Sequence, residues 1–258
     1  PNVVNSLAAV RDLFCRAGAR TPPRTSVAED GRRGTSPRPT VGDGPAAGVL
    51  HALQSDFAGY DDLRRTLLCA PKWGNGDERV DELARWVTDR LYAAFEPKCN
   101  ARGGRWQCAL YSFVANYMLG EVVGASADGR GAREMLTRNL NPTWGTDHHG
   151  PTAVLRSLSH IDFTGFPDGC SLDLRFDPQF FATPEGRQKL VGFLKTFCDL
   201  GVMQMQISMM DTETLLDARE HPERYPELLV KVAGYSARFV DLDAREQEEI
   251  IARTGHGV

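Results

Sequence analysis

The chain has 258 residues with 41% apolar content, enough to bury a sizeable core as one large domain or two small ones. A formal charge of -4 provides no broad basic face and so excludes nucleic acid and anionic membrane as main partners. No apolar run approaches the roughly 20 residues of a membrane span, and no charged-then-apolar signal opens the chain, so a cytoplasmic protein is expected.

In chain order, Asn2 to Phe14 places Val3, Val4, Leu7, Ala8, Val10 and Leu13 at helical spacing, with Asn5-Ser6 as candidate caps. Arg16 to Gly48 is rich in Gly, Pro, Arg, Ser and Thr and is expected to be a flexible insertion. Val49 to Leu68 suits two short helices broken at Gly59, and Pro71 to Asp77 a turn. Arg79 to Phe95 carries Val80, Leu83, Ala84, Val87, Leu91 and Ala94 on one stripe, the pattern of an amphipathic helix, with Trp86, Tyr92 and Phe95 expected in the core.

Trp106 to Val123 fits a strand or a helix, and Ala125 to Gly145 a loop turning at Asp128-Gly129-Arg130. Gly150-Pro151 opens a helix to Ile161. Its start is read first as an ordinary cap and second as an anion-binding N-terminus. Ser171 to Phe176 is a short alternating strand, and Thr183 caps a helix that ends at Gly201. Val202 to Met210 is a second strand, with Met203, Met205, Ile207 and Met209 expected under helices and Gln204, Gln206 and Ser208 on a polar side. This strand–helix–strand rhythm implies an α/β layer architecture.

The six cysteines, Cys15, Cys69, Cys99, Cys108, Cys170 and Cys198, form no C-x-x-C pair and are read as reduced thiols. His148-His149 is read as a loop pair, because adjacent residues rarely share a metal and no Glu-x-x-His helix accompanies them. No metal site is expected.

Leu229 to Leu242 is an apolar run, a glycine at Gly234, and a second apolar run ending at an acidic helix start, which by itself reads as a strand entering a tight turn. Val232-Ala233-Gly234-Tyr235-Ser236 also resembles the radical loop of the glycyl radical enzymes, the pyruvate formate-lyase-like family. Four further regions are similar to that family in the same order: Ala70 to Asn75 with Val80 to Ala84, Asp128-Gly129-Arg130, Gly150 to Ala153, and the flanks Thr212 to Tyr225 and Gln247 to Thr254. The Asn5-Ser6-Leu7-Ala8-Ala9 helix matches a segment that lies well inside family members.

The resemblance implies part of a ten-stranded α/β barrel, with a glycyl radical domain over 130–253 and its radical loop over 230–240. It implies that Gly234 is the catalytic residue, storing a radical installed by an iron–sulfur activating enzyme that splits S-adenosylmethionine, with no cofactor bound to the chain itself. The family's thiyl-forming cysteine lies in a Gly-Cys-x-Glu motif, which Gly169-Cys170-Ser171-Leu172 does not reproduce. The expected partners are therefore the activating enzyme, an N-terminal portion supplying that motif, a small-molecule substrate and, in the complete enzyme, further copies of itself. The branch it resembles is that of the dehydratases and lyases. The alternatives are a spare-part radical module that restores a cleaved partner, a fragment of an enzyme like pyruvate formate-lyase, or an inactive remnant. Lys231 stands where the family has arginine, keeping the charge without the planar fork.

Overall fold

A computed structural model describes residues 1–19, 45–112, 115–232, 235–253 and 255–256. The first helix, α1 (Asn2–Ala19), runs past the expected end, and α2 (Pro45–Gln54) begins before Gly48. The two ends of the expected insertion are thus helical, and 20–44 lie outside the described residues. Asn5 does not cap. It is fully buried inside α1, where its Oδ1 accepts from the Trp73 backbone N–H at 2.7 Å and its Nδ2 donates to Thr143 Oγ1 at 3.0 Å. A short polar side chain placed mid-helix here ties the turn at 71–77 to the loop at 143.

Helix α3 (Asp61–Leu68) follows the break, where Gly59 has φ of +80°. Helix α4 (Glu78–Phe95) starts at Asp77, whose carboxylate accepts from the Arg79 N–H at 3.0 Å. Its first half packs as the stripe predicts, with Val80 and Ala84 buried. Its second half does not: Leu91 and Ala94 are exposed, and Trp86 and Tyr92 are 53% and 43% exposed, contrary to the expected core role. Arg90 stacks over the Trp86 ring instead, 5.7 Å from its centroid.

Helix α5 (Ala115–Val122) resolves the ambiguous stretch as helix at its C-terminal end, while 113–114 lie outside the described residues. The Asp-Gly-Arg turn closes through the Gly129 N–H on the Ser126 carbonyl, with Gly129 at φ +95°. A β-carbon there would also lie 2.6 Å from Leu68 Cγ, so glycine is required twice over. Helix α6 (Gly150–Leu158) takes Pro151 in its first turn.

Strand β1 (Asp173–Phe176), helix α7 (Pro184–Asp199) and strand β2 (Gln206–Met209) form the expected parallel crossover, with Leu174 opposite Ile207. Thr183 Oγ1 caps α7 on the Gly186 N–H at 3.1 Å, and Gly201 ends it at φ +67°. Among the described residues β2 is an edge strand; the methionine face is covered in its middle, where Met205 and Ile207 pack on the larger core, and exposed at its ends, at Met203 and Met209. Helix α8 (Thr212–Glu220), strands β3 (Leu229–Lys231) and β4 (Ser236–Arg238), helix α9 (Ala244–Ala252) and the short β5 (Gly255–His256) complete the order. β5 pairs with β1 on the side away from β2, and β3 with β4 forms an antiparallel hairpin.

Two apolar cores position the site. The larger gathers Trp73, Val80, Leu155, Leu158, Leu174 and Phe176, with Phe176 edge-on to Phe181 and Phe193 at 5.5 Å. The smaller joins Leu215, Val230, Val232, Phe239 and Ile250 beneath the hairpin. All four residues of β1 are buried. Its alternation sends Leu174 and Phe176 into the larger core and leaves Asp173 and Arg175 on the opposite, polar side, toward α8 and α9.

Candidate functional site

The hairpin is held by the pairs Leu229–Arg238, Val230–Ala237 and Lys231–Ser236, and the Val232 N–H donates to the Tyr235 carbonyl at 3.0 Å. Gly234, the predicted catalytic residue, and Ala233 lie outside the described residues. On the two sides of them, Val232 is fully buried in the smaller core and Tyr235 is 47% exposed. Lys231 is exposed; its carbonyl, not its ammonium, makes the contact inward.

That inward contact belongs to a buried charged cluster which periodicity did not reveal. Arg253 donates from Nη1 to the Lys231 carbonyl at 2.8 Å and from Nη2 to the Val232 carbonyl at 3.1 Å. Arg138 Nη2 donates to the same Val232 carbonyl, and its Nη1 to Glu249 Oε2. Glu249 also accepts from Arg253 at 3.4 Å, and Arg138 Nε lies 3.7 Å from Asp173 Oδ2. All four side chains are at most 7% exposed. Asp173 is fixed in turn by Asn139 Nδ2 at 2.6 Å and by the Asn141 side chain on its N–H at 3.1 Å. Burial pushes the Arg253 pKa down, with Glu249 opposing.

Beside Arg253, Arg175 donates to Thr212 Oγ1 at 3.0 Å, while its Nε and Nη1 have no protein hydrogen-bond partner. Together with Asn141, Trp144 and Asp147 it lines a cavity of about 20 Å³, the size of one water. Burial and the neighbouring Arg253 lower the Arg175 pKa. A larger cleft of about 730 Å³ separates α5 from α9, lined by Tyr117, Glu121, Arg133, Met135, Arg245 and Glu248, and Arg245 pairs with Glu121 across it.

The remaining sequence candidates lie apart. Cys170 is 1% exposed in the larger core, and burial pushes its thiol pKa up. His148 and His149 both attach to Asn75, the first by its N–H and the second by Nδ1, at 2.9 Å each. His149 precedes α6 without a side-chain cap bond. Among the described residues no cluster of three or more His, Cys, Asp or Glu is arranged for a metal, and no helix is long and apolar enough to cross a membrane. Two signals for the missed cluster were present: the Asp173/Arg175 alternation of β1 and Arg253 within the tail that resembles the family. Arg138 sits in an aperiodic loop and had none.

A parallel α/β layer with an antiparallel hairpin seated on the polar side of its central strand defines the class of the domain. A family model described as "Glycine radical" matches residues 136–240, and one described as "Pyruvate formate lyase-like" matches residues 45–120. The chain is 38% identical to the isethionate sulfite-lyase of Nitratidesulfovibrio vulgaris over 81% of its own length and 26% of that protein's. It is 30% identical to the trans-4-hydroxy-L-proline dehydratase of Clostridioides difficile over 80% of its length and 26% of that protein's. The structure of the B12-independent glycerol dehydratase from Clostridium butyricum, in its glycerol-bound form, superposes with a TM-score of 0.85 at 30% identity, covering 100% of this chain and 30% of that one. The chain belongs to the glycyl radical enzyme family and carries its glycyl radical domain. It spans about a quarter of the length of these curated relatives.

Proposed function

We propose that the chain is the radical-bearing part of an anaerobic lyase or dehydratase, with Gly234 as the store of the radical. The observation that carries this reading is that Val232 to Ser236 matches the family's loop motif and falls inside the "Glycine radical" match. Glycine suits the task because an α-carbon without a β-carbon can flatten, spreading the unpaired electron over the adjoining amide groups. An activating enzyme with an iron–sulfur cluster removes one hydrogen atom from the Gly234 α-carbon. In turnover the loop takes a hydrogen atom from a cysteine thiol, leaving a thiyl radical there and restoring the glycine. That cysteine belongs to a portion outside this chain, since the buried Cys170 is without the Gly-Cys-x-Glu context.

The lyase and dehydratase activities of the relatives support the reaction class, and their substrates, a sulfonate, a hydroxylated imino acid and a triol, differ too much to choose among. The superposition over the whole chain supports assigning β1, β2 and β5 to the family's α/β barrel. The test is electron paramagnetic resonance of the chain with its complementary portion after anaerobic activation. A glycine-centred doublet is expected, and Gly234→Ala should abolish it; a doublet that persists in the variant overturns the assignment.

A further inference from the structure

We propose that Arg138 and Arg253 are positioning residues for the radical loop, gripping the backbone carbonyls of Lys231 and Val232 and so fixing the end of the strand that leads toward Gly234. This rests on the reading of Gly234 as the radical store. Val232 is the last described residue before that glycine, and its carbonyl receives two guanidinium donors, one from each arginine. The Lys231 carbonyl receives a third bond, from Arg253. Two planar forks converging on consecutive carbonyls fix direction as well as distance, which a single donor or an apolar contact does not.

The grip reaches across the molecule. Arg138 lies in the loop before α6, and Glu249 and Arg253 lie on and just past α9, so residues 94 and 111 positions apart in the chain meet at one point. Glu249 is the counter-charge that makes the pair of arginines tolerable: it accepts from both, and all three side chains are buried. Asp173, anchored by Asn139 and Asn141, extends the support to the central strand. The apolar contacts of Val230, Phe239 and Ile250 hold the hairpin down without setting a direction, and Gln247 Nε2 donates to the Phe239 carbonyl at 2.9 Å just past β4; the grip adds the directional hold at Lys231 and Val232.

Arg138→Lys and Arg253→Lys keep the charge and remove the fork, and Glu249→Gln keeps the shape and removes the counter-charge. Hydrogen exchange of the full chain should show the amides of 229–232 and 235–238 opening about tenfold faster in each variant, while β1 and β2 keep their protection. With the complementary portion and activating enzyme present, the doublet per folded protomer should be several-fold smaller, with the Lys variants retaining more of it than Arg138→Gln. Unchanged hairpin exchange in these cooperatively folding variants overturns the grip. Faster exchange with undiminished doublet intensity overturns its role in the radical chemistry. If the unaltered chain itself gives no doublet, the assignment of Gly234 fails while the exchange measurement still decides the grip.

Discussion

The core around β1 and the core beneath the hairpin are built on different physics. Around β1, α6 and α7 the contacts are apolar and dense, with Leu155, Leu158, Leu172 and Phe176 fully buried. Around the hairpin a small apolar cluster sits beside a buried ionic seam of Arg138, Asp173, Glu249 and Arg253. Apolar packing is non-directional and tolerates small displacements, whereas bidentate charged contacts hold one geometry and lose most of their value outside it. The first suits a scaffold; the second suits a strand end whose position matters.

The sharpest way to break this comparison is to make the same cavity on both sides. Phe176→Ala and Phe239→Ala should each cost about 3–5 kcal/mol. Chemical denaturation should show a global loss for Phe176→Ala. For Phe239→Ala, hydrogen exchange should open 229–238 and 244–252 before β1 and β2. If the two variants open every element together, the domain is one cooperative unit and the distinction fails.

A smaller effect comes from two helix caps of the same chemistry. Asp243 accepts from the Arg245 and Glu246 N–H groups at 2.9 Å, and Thr183 caps α7. Replacing either by Ala should cost about 1 kcal/mol. Only Asp243→Ala should speed exchange in the hairpin, because α9 carries Glu249 into the seam. Equal hairpin exchange in both variants would show that α9 does not tension the loop.

The smallest effect is a slope with pH. Asp81 is 1% exposed on α4, and burial raises its carboxyl pKa, with Ser157 and His160 partly offsetting. A carboxyl raised on folding binds more protons in the native state. Its stabilising contribution is therefore present below the unfolded value and is lost as pH rises toward the folded one. Asp81→Asn should flatten the stability profile above the ordinary carboxylate range and stabilise the chain at neutral pH relative to the parent. An unchanged slope in parallel denaturation series would remove Asp81 from the account.

Much of the scaffold was legible because its signals are local. Thr183 caps α7 as its position predicts, Asp243 caps the acidic helix start after the hairpin, Gly59 and Gly201 break the chain where expected, and the β1–α7–β2 crossover follows from the change of period. Apolar spacing, however, reports which face could be buried and not whether anything covers it. Spacing alone therefore places Trp86, Tyr92, Met203 and Met209 in a core, whereas all four are exposed. Asn5 failed for the opposite reason: a good capping residue was needed more as a buried bridge between Trp73 and Thr143.

The sequence by itself determined the α/β rhythm and, through the Val232 to Ser236 motif and its ordered companions, the family and the residue proposed to carry the radical. Tertiary structure alone decided that Arg138 and Arg253 converge on the Lys231 and Val232 carbonyls with Glu249 as their shared counter-charge, and that Asp173 and Arg175 face them from the central strand. The reason is range. Caps, turns and strand alternation are set by neighbours a few positions away, and a motif is read directly. A buried charged cluster assembles from positions about a hundred residues apart, where the burial that raises the cost of each charge and the partner that offsets it come into being together on folding.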